Sequence, residues 1–275
     1  MGAAALLLWA FLAPLARLAQ PLPPLLLTAL GFAVGGGLAL AVVAARGRLG
    51  LLRQPGLAWA HGVGGLAGYH ALYFTGLALA PAVETNLLNY LWPLLIVLLS
   101  APILGLRLGW WRLAGVAMGL AGAVLLVGAG ADFPAAAMVG FVCSLAAAVV
   151  WALYSVLARR LAAVPTEAVA GFCLASAVLL LVGHFCFEAV PAGVGARQAV
   201  VVVLIGLGPM GAAFFLWDIG MKRGDPRLLG TLAYATPVAS TLLLAAIGEG
   251  VLGWRTLAAA ALVAGGGLLA ARAPG

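Results

Sequence analysis

Few side chains in this sequence could do bond-making chemistry, and their spacing argues against the obvious readings. The stretch Gly206-Leu-Gly208-Pro-Met-Gly211 follows the strand-like run 200–205 and spells G-x-G-x-x-G. That fingerprint holds pyrophosphate only where a strand hands over to a helix N-terminus in a βαβ unit. Here it lies inside an apolar run, and no parallel-sheet pattern surrounds it. Helix packing through small residues is the expected role, as it is for Gly64-x-x-x-Gly68 and Gly115-x-x-x-Gly119. His61, His70 and His184 stand apart, with neither H-E-x-x-H nor H-x-x-x-D. Cys143, Cys173 and Cys186 lie in hydrophobic stretches with no C-x-x-C, where cysteine is usually a small apolar filler. No metal and no cofactor is expected. Neither a serine nucleophile with its base nor a pair of intramembrane carboxylates can be assembled, so an enzyme has little to stand on.

The acidic residues divide by position. Asp132, Glu188 and Glu249 fall at or near loops and are expected to be solvated; Glu167 and Asp225 flank apolar runs as caps or counter-charges. Glu84 and Asp218 are the two that could reach an aqueous vestibule and take a polar or proton-handling role.

Recognition chemistry is better represented. In Glu84-Thr-Asn86-Leu-Leu-Asn89-Tyr90-Leu-Trp92-Pro93, residues Asn86, Tyr90, Pro93 and Val97 share one helical face, with Asn89 alongside. Lipid would penalise the amides and the phenol, so this face should look inward. Pro93 frees a helix carbonyl and permits a kink, and Pro237 does the same in a corresponding run. Aromatic residues recur in related pairs: Trp9 with Trp151, Tyr73 with Trp217, Tyr90 with Tyr234. Trp and Tyr far from an interface need polar company for their N–H and O–H groups. His70, Tyr73, Tyr90, Trp92, Trp151 and Tyr154 are therefore expected to line a central pocket, the alternative for each being plain core packing. Such walls suit a substrate with an aromatic or flat cationic part, held by contacts worth about 0.5–2 kcal/mol each.

These residues must be positioned by membrane helices. Of 275 residues, 65% are hydrophobic and only 8% charged, and mean hydropathy is +1.20. A soluble chain of this length carries roughly a quarter charged residues. A soluble enzyme, a secreted disulfide scaffold and a disordered chain are excluded. Apolar runs broken by charge, Pro or Gly give ten spans, roughly 3–19, 22–45, 56–79, 82–104, 110–129, 135–158, 166–187, 198–221, 227–247 and 252–271. With the N-terminus in the cytoplasm, the cytoplasmic side receives Arg46, Arg48, Arg53, Arg107, Arg112, Arg159, Arg160, Lys222, Arg223, Arg227 and Arg272. The outer side receives Arg17, Arg197 and Arg255. This eleven-to-three split supports ten helices with both ends inside. The net charge of +7 thus sits between apolar runs, where it fixes topology rather than binding nucleic acid.

The two halves, 1–130 and 131–275, repeat each other. A shift of 142 relates Trp9-Ala10 to Trp151-Ala152, and a shift of 144 relates Gly62 to Gly206, Tyr90 to Tyr234, Pro93 to Pro237 and Leu108-Gly109-Trp110 to Leu252-Gly253-Trp254. Five helices per repeat is an odd number, so the second copy enters the membrane inverted. Inverted repeats recur in transporters, because two such halves exchange inward- and outward-open shapes around a central site.

Ten helices in two inverted repeats, Trp9 paired with Trp151, and the 84–93 stretch followed by Leu94-Leu-Ile-Val-Leu-Leu-Ser100 resemble the EamA branch of the drug/metabolite transporter superfamily. Within it, Tyr90-Leu-Trp92-Pro93 and His70-x-x-Tyr73 are most similar to the YddG-type aromatic amino acid exporters. The resemblance covers nearly the whole chain; the short N-terminus departs from longer members. It implies an all-α, basket-like bundle with a central cavity in a bacterial inner membrane, exporting amino acids or related compounds by alternating access. Carriage of another metabolite or an organic cation is the alternative. Phosphorylated substrates are disfavoured because no basic residue falls mid-span. A membrane enzyme or assembly protein would need a catalytic constellation or a large partner surface, and neither is visible. Proton antiport and facilitated diffusion fit equally well. A monomer is the simpler expectation, since two fused repeats already supply internal pseudo-symmetry.

Overall fold

The structure is a computed structural model that describes residues 2–105, 109–127, 134–161, 163–189, 191, 193–223, 233, 235–249 and 252–271. Among the described residues there are helices and no strands. The helices are α1 (Gly2–Ala10), α2 (Leu12–Leu18), α3 (Pro24–Ala45), α4 (Gly56–Leu79), α5 (Ala82–Asn89), α6 (Trp92–Leu104) and α7 (Trp110–Val127). They continue with α8 (Ala135–Ala158), α9 (Ala168–Phe187), α10 (Ala196–Leu207), α11 (Ala213–Arg223), α12 (Ala235–Ala246) and α13 (Trp254–Ala271). Among the described residues five stretches are long and apolar enough to cross a membrane: Pro24–Ala45, Ala82–Leu104, Ala135–Ala158, Ala168–Phe187 and Ala196–Trp217, with hydropathies of 2.0 to 2.4. Gly2–Leu18, Thr236–Ala246 and Trp254–Leu269 are shorter apolar helices. Leu7, Val124, Val142, Val178 and Phe185 face outward, a surface that only lipid would cover well. Trp110 and Trp254 are exposed at the starts of α7 and α13, as interfacial tryptophans are.

Three of the helical runs are broken, each beside a proline that removes a donor. Pro14 leaves the Ala10 carbonyl without its partner four residues on, and the chain turns at Phe11 between α1 and α2. Pro93 does the same to the Asn89 carbonyl, and α5 gives way to α6 across Tyr90-Leu91. Pro209 deprives Ile205, and a π-turn, Gly208–Ala212, separates α10 from α11. Pro237 lies buried within α12.

Small residues set the packing of the bundle. A Cβ on Gly35 of α3 would stand 2.5 Å from the Gly206 carbonyl oxygen and 3.0 Å from the Gly211 Cα. The G-x-G-x-x-G stretch is therefore a close helix contact against α3. Gly76 of α4 meets the Gly140 carbonyl of α8, where an added Cβ would lie 2.9 Å away. On α4 the expected packing pair, Gly64 and Gly68, is not the tight contact: nothing lies within 4 Å of a Cβ at Gly64, and one at Gly68 would meet Val150 at an ordinary 3.6 Å. Gly62 and Gly65 take that role, against the rings of Phe172 and Tyr154. Their i,i+3 spacing puts them on the side of α4 that meets α8 and α9.

Candidate functional site

The most strongly aromatic point of the bundle surrounds a cavity of about 20 Å³. That is room for about one water and far too little for an amino acid. The first broken run contributes Leu6, Trp9 and Leu12, and α4 contributes Tyr69, His70 and Tyr73. The α5–α6 break contributes Asn89, Tyr90 and Trp92; Trp151 of α8, Phe214 of α11 and Thr236 of α12 complete the wall. None of these side chains is formally charged. Tyr69 and Tyr73 are neighbours because residues four apart share a helix face, and the turn at Tyr90-Leu91 brings Asn89, Tyr90 and Trp92 to one place.

Trp151 is the hub. Its ring centroid lies 5.9 Å from Trp9, 4.9 Å from Tyr69, 6.4 Å from Trp92, 5.2 Å from Tyr154 and 5.9 Å from Phe214. The Trp9 contact is edge-on at 84°, which points the positive ring edge at a negative face. His70 sits among Phe32, Tyr69, Phe74 and Phe214, with centroids 4.7 to 6.0 Å away.

The polar groups are partnered one end at a time. Trp9 Nε1 donates to the Pro209 carbonyl at 3.1 Å, inside the π-turn. Tyr73 donates its hydroxyl to Asn86 Oδ1 at 2.6 Å, and Asn89 Nδ2 donates to the Tyr69 hydroxyl at 2.9 Å. His70 Nδ1 lies 2.9 Å from the Leu66 carbonyl oxygen. A carbonyl can only accept, so Nδ1 carries the proton and Nε2 of the neutral ring is an acceptor.

The residues singled out from the sequence are distributed as follows. His70, Tyr73, Asn89, Tyr90, Trp92 and Trp151 line the cavity. Asn86 is fully buried behind it, holding Tyr73. Trp217 packs on Trp9 at 5.1 Å, outside the lining. Tyr154 borders a different cavity of about 90 Å³, shared with Ala58, His61, Thr166 and Phe172, where its ring stacks on His61 at 4.6 Å and 12°. Glu84 is half-buried in the first turn of α5, away from the lining. The Tyr234 residue and the Asp218 side chain lie outside the described residues. Tyr69, Phe214 and Thr236 of the wall were not anticipated. Phe214 was within reach: the shift of 144 that pairs Tyr73 with Trp217 also pairs His70 with Phe214.

Charged groups tie the bundle at its two ends. Where α2 and α4 finish, Arg17 Nε and Nη2 both lie 2.7 Å from Glu249 Oε2, and Arg17 Nη1 donates to the Leu77 carbonyl at 2.6 Å. Glu249 is thus not a solvated loop charge. Neither is Glu188: it accepts from the Leu25 and Leu26 amides at 2.8 and 3.2 Å, capping α3, and lies 2.8 Å from His184 Nδ1. Both corrections share one cause, since the partner comes from a helix distant in sequence. At the opposite end Arg48 pairs with Glu167 at 2.5 Å, and Arg160 donates to the Ile103 carbonyl.

Comparison with known proteins places this architecture. The profile of the EamA-like transporter family matches residues 1–128 and 138–272. The aromatic amino acid exporter YddG of Ancylobacter novellus is 50% identical over 274 residues, covering 98% of this chain and 95% of its own. The aromatic amino acid exporter YddG of Salmonella typhimurium is 24% identical over 196 residues, covering 68% of this chain and 66% of that protein. A crystal structure of a protein 50% identical in sequence superimposes with a TM-score of 0.78, covering 98% of this chain and 95% of that one.

Proposed function

Because the chain belongs to the EamA-like transporter family, we propose that it exports aromatic and related amino acids across a bacterial inner membrane by alternating access. The observation that carries the reading is the uncharged aromatic cavity around Trp151, closed down to about 20 Å³ at the meeting point of three broken helices. It offers faces for a planar side chain and neutral polar groups for a zwitterionic head. Among the described residues the lining has no Arg or Lys, which disfavours a phosphorylated substrate, and no Asp or Glu, which favours a zwitterion over an organic cation. The name of the 50% identical relative points to the same substrate class.

The bundle is read as ten spans in two inverted repeats, 1–130 and 131–275, with both termini cytoplasmic. Helix pairings support the internal symmetry. The packing of α4 on α8 has its counterpart in α1 on α11, and that of α5–α6 on α8 in α1 on α12. The pairs α3 with α9 and α7 with α13 each join equivalent helices of the two halves. On this orientation the Arg17–Glu249–Leu77 contact lies on the outer side, where it pins the first half to the second. Substrate enters from the cytoplasm, the aromatic walls take its side chain, and the outer contact parts to release it, with Pro93 and Pro237 acting as hinges. His70, Tyr73, Asn86, Asn89, Tyr90, Trp92 and Trp151 are the binding residues of this proposal. Tyr154, Trp217 and Tyr234 support them, and Glu84 and Asp218 are the candidates for proton coupling. The unit is a monomer.

The test is flux of radiolabelled phenylalanine in proteoliposomes holding purified protein, without and then with a pH gradient. Flux above that of empty liposomes is expected, and its response to the gradient separates antiport from facilitated diffusion. No flux of phenylalanine, tyrosine or tryptophan overturns the aromatic amino acid assignment, and flat organic cations become the next substrates to try.

A further inference from the structure

Two amides at the helix break are left half-satisfied, and the halves that are free are complementary. Asn89 spends its Nδ2 on the Tyr69 hydroxyl, and its Oδ1 is buried with no partner. Asn86 spends its Oδ1 on the Tyr73 hydroxyl, and its Nδ2 is buried with no partner. An unpaired buried polar atom costs on the order of 1–3 kcal/mol, so two of them at one place call for an explanation. The Ser176 and Thr241 hydroxyls are also without partners, but a hydroxyl can swing about one bond toward a helix carbonyl. A planar amide fixed at one end cannot.

The surroundings say what would complete them. Asn89 lines the cavity, and the second acceptor there is His70 Nε2, since Nδ1 carries the ring proton toward the Leu66 carbonyl. Pro93 adds a third, the Asn89 backbone carbonyl that lacks a donor four residues on. Such acceptors beside aromatic faces, with no acid among the described lining residues, suit an ammonium that is already neutralised by its own carboxylate. Asn86 Nδ2 is a donor, one helical turn away. Cβ atoms three residues apart on a helix lie about 5–6 Å from each other. One headgroup, whose ammonium and carboxylate share a single carbon, can span that distance with a hydrogen bond at each end.

We infer that the Asn86–Asn89 pair reads the α-amino acid head as a zwitterion: Asn89 Oδ1, with His70 Nε2, accepts from the ammonium, and Asn86 Nδ2 donates to the carboxylate. The tyrosine hydroxyls on their other ends hold the two amides in place. The inference rests on the export reading and deepens it, because it makes the substrate's two charges, and not only its ring, a condition of transport. It also explains how a cavity with no charged side chain among its described lining residues selects a doubly charged molecule. Each charge meets neutral dipoles, and the charges neutralise each other.

The test compares three compounds as competitors of labelled phenylalanine flux: phenylalanine itself, phenethylamine, which lacks the carboxylate, and 3-phenylpropionate, which lacks the ammonium. In the wild type both analogues should compete about ten- to hundredfold more weakly than phenylalanine, the range for a hydrogen bond to a charged group. Asn89→Leu should weaken phenylalanine and close its lead over 3-phenylpropionate while keeping the lead over phenethylamine. Asn86→Leu should do the reverse. Where a Leu variant gives no folded protein, Asn89→Asp keeps the size of the side chain. It should strengthen phenethylamine and weaken 3-phenylpropionate, read by quenching of the cavity tryptophans in detergent. A role confined to holding Tyr69 and Tyr73 would lower all three compounds together. That result, or unchanged ratios, or the crossed pattern inverted, overturns the inference while leaving the export reading intact. Absence of phenylalanine flux in the wild type overturns the export reading and takes this one with it.

Discussion

The contact of Arg17 with Glu249 and the Leu77 carbonyl gives the most quantitative prediction. Glu249→Gln keeps the shape of the side chain and removes its charge, so Arg17 retains the Leu77 carbonyl and loses the carboxylate. Arg17 presents two N–H groups to one oxygen of Glu249, both at 2.7 Å. A charge-assisted pair of this kind is worth about 1.5–3 kcal/mol when buried. The two side chains are 23% and 31% exposed, which pulls the value toward the range for surface pairs, below about 1 kcal/mol. About 1–2 kcal/mol is the expected loss, which shifts the balance between closed and outward-open states by roughly five- to thirtyfold. The assay is the reaction of a cysteine at Tyr90, in a background with Cys143, Cys173 and Cys186 replaced, with a membrane-impermeant thiol reagent added outside. Its rate should rise by that factor in Glu249→Gln. The exchange Arg17→Glu with Glu249→Arg should recover part of the slow rate, though not the bond to Leu77. A rate within twofold of the parent, or an exchange no slower than the single variant, refutes the reasoning. Acceleration only with reagent added from the cytoplasmic side refutes the orientation.

Two further outcomes are expected. Trp151→Ala and Tyr90→Ala should each cut phenylalanine flux about tenfold at matched membrane expression. Each removes a ring face worth about 0.5–1.5 kcal/mol and the wall that excludes water; full flux in both removes the aromatic pocket. Gly35→Leu should lower the melting temperature in detergent sharply, because its side chain meets backbone at Gly206 and Gly211, where nothing can give. Gly64→Ala meets nothing within 4 Å and should leave the melting temperature unchanged or raise it slightly, and the opposite order would reverse the assignment of the contact face.

Composition alone made this a chain of apolar helices, because 8% charge cannot cover a water-facing surface. Helical periodicity identified the polar face at Asn86, Asn89 and Tyr90, and proline chemistry located the break beside it at Pro93. These are local properties, fixed by a few consecutive residues. Tertiary structure decided which helices meet, and at what height along their axes. Tyr154 stands three residues beyond Trp151, about 4.5 Å further along the helix, and that displacement moves it from the central cavity to the one beside His61. Tyr69 looked like one more tyrosine of an apolar run until the α5–α6 turn brought the Asn89 amide to its hydroxyl. Glu188 and Glu249 had the spacing of loop charges, and became a helix cap and a clasp because their partners come from the other half of the chain. Periodicity gives a residue its face on one helix; only the packing of ten or more helical pieces determines what that face meets.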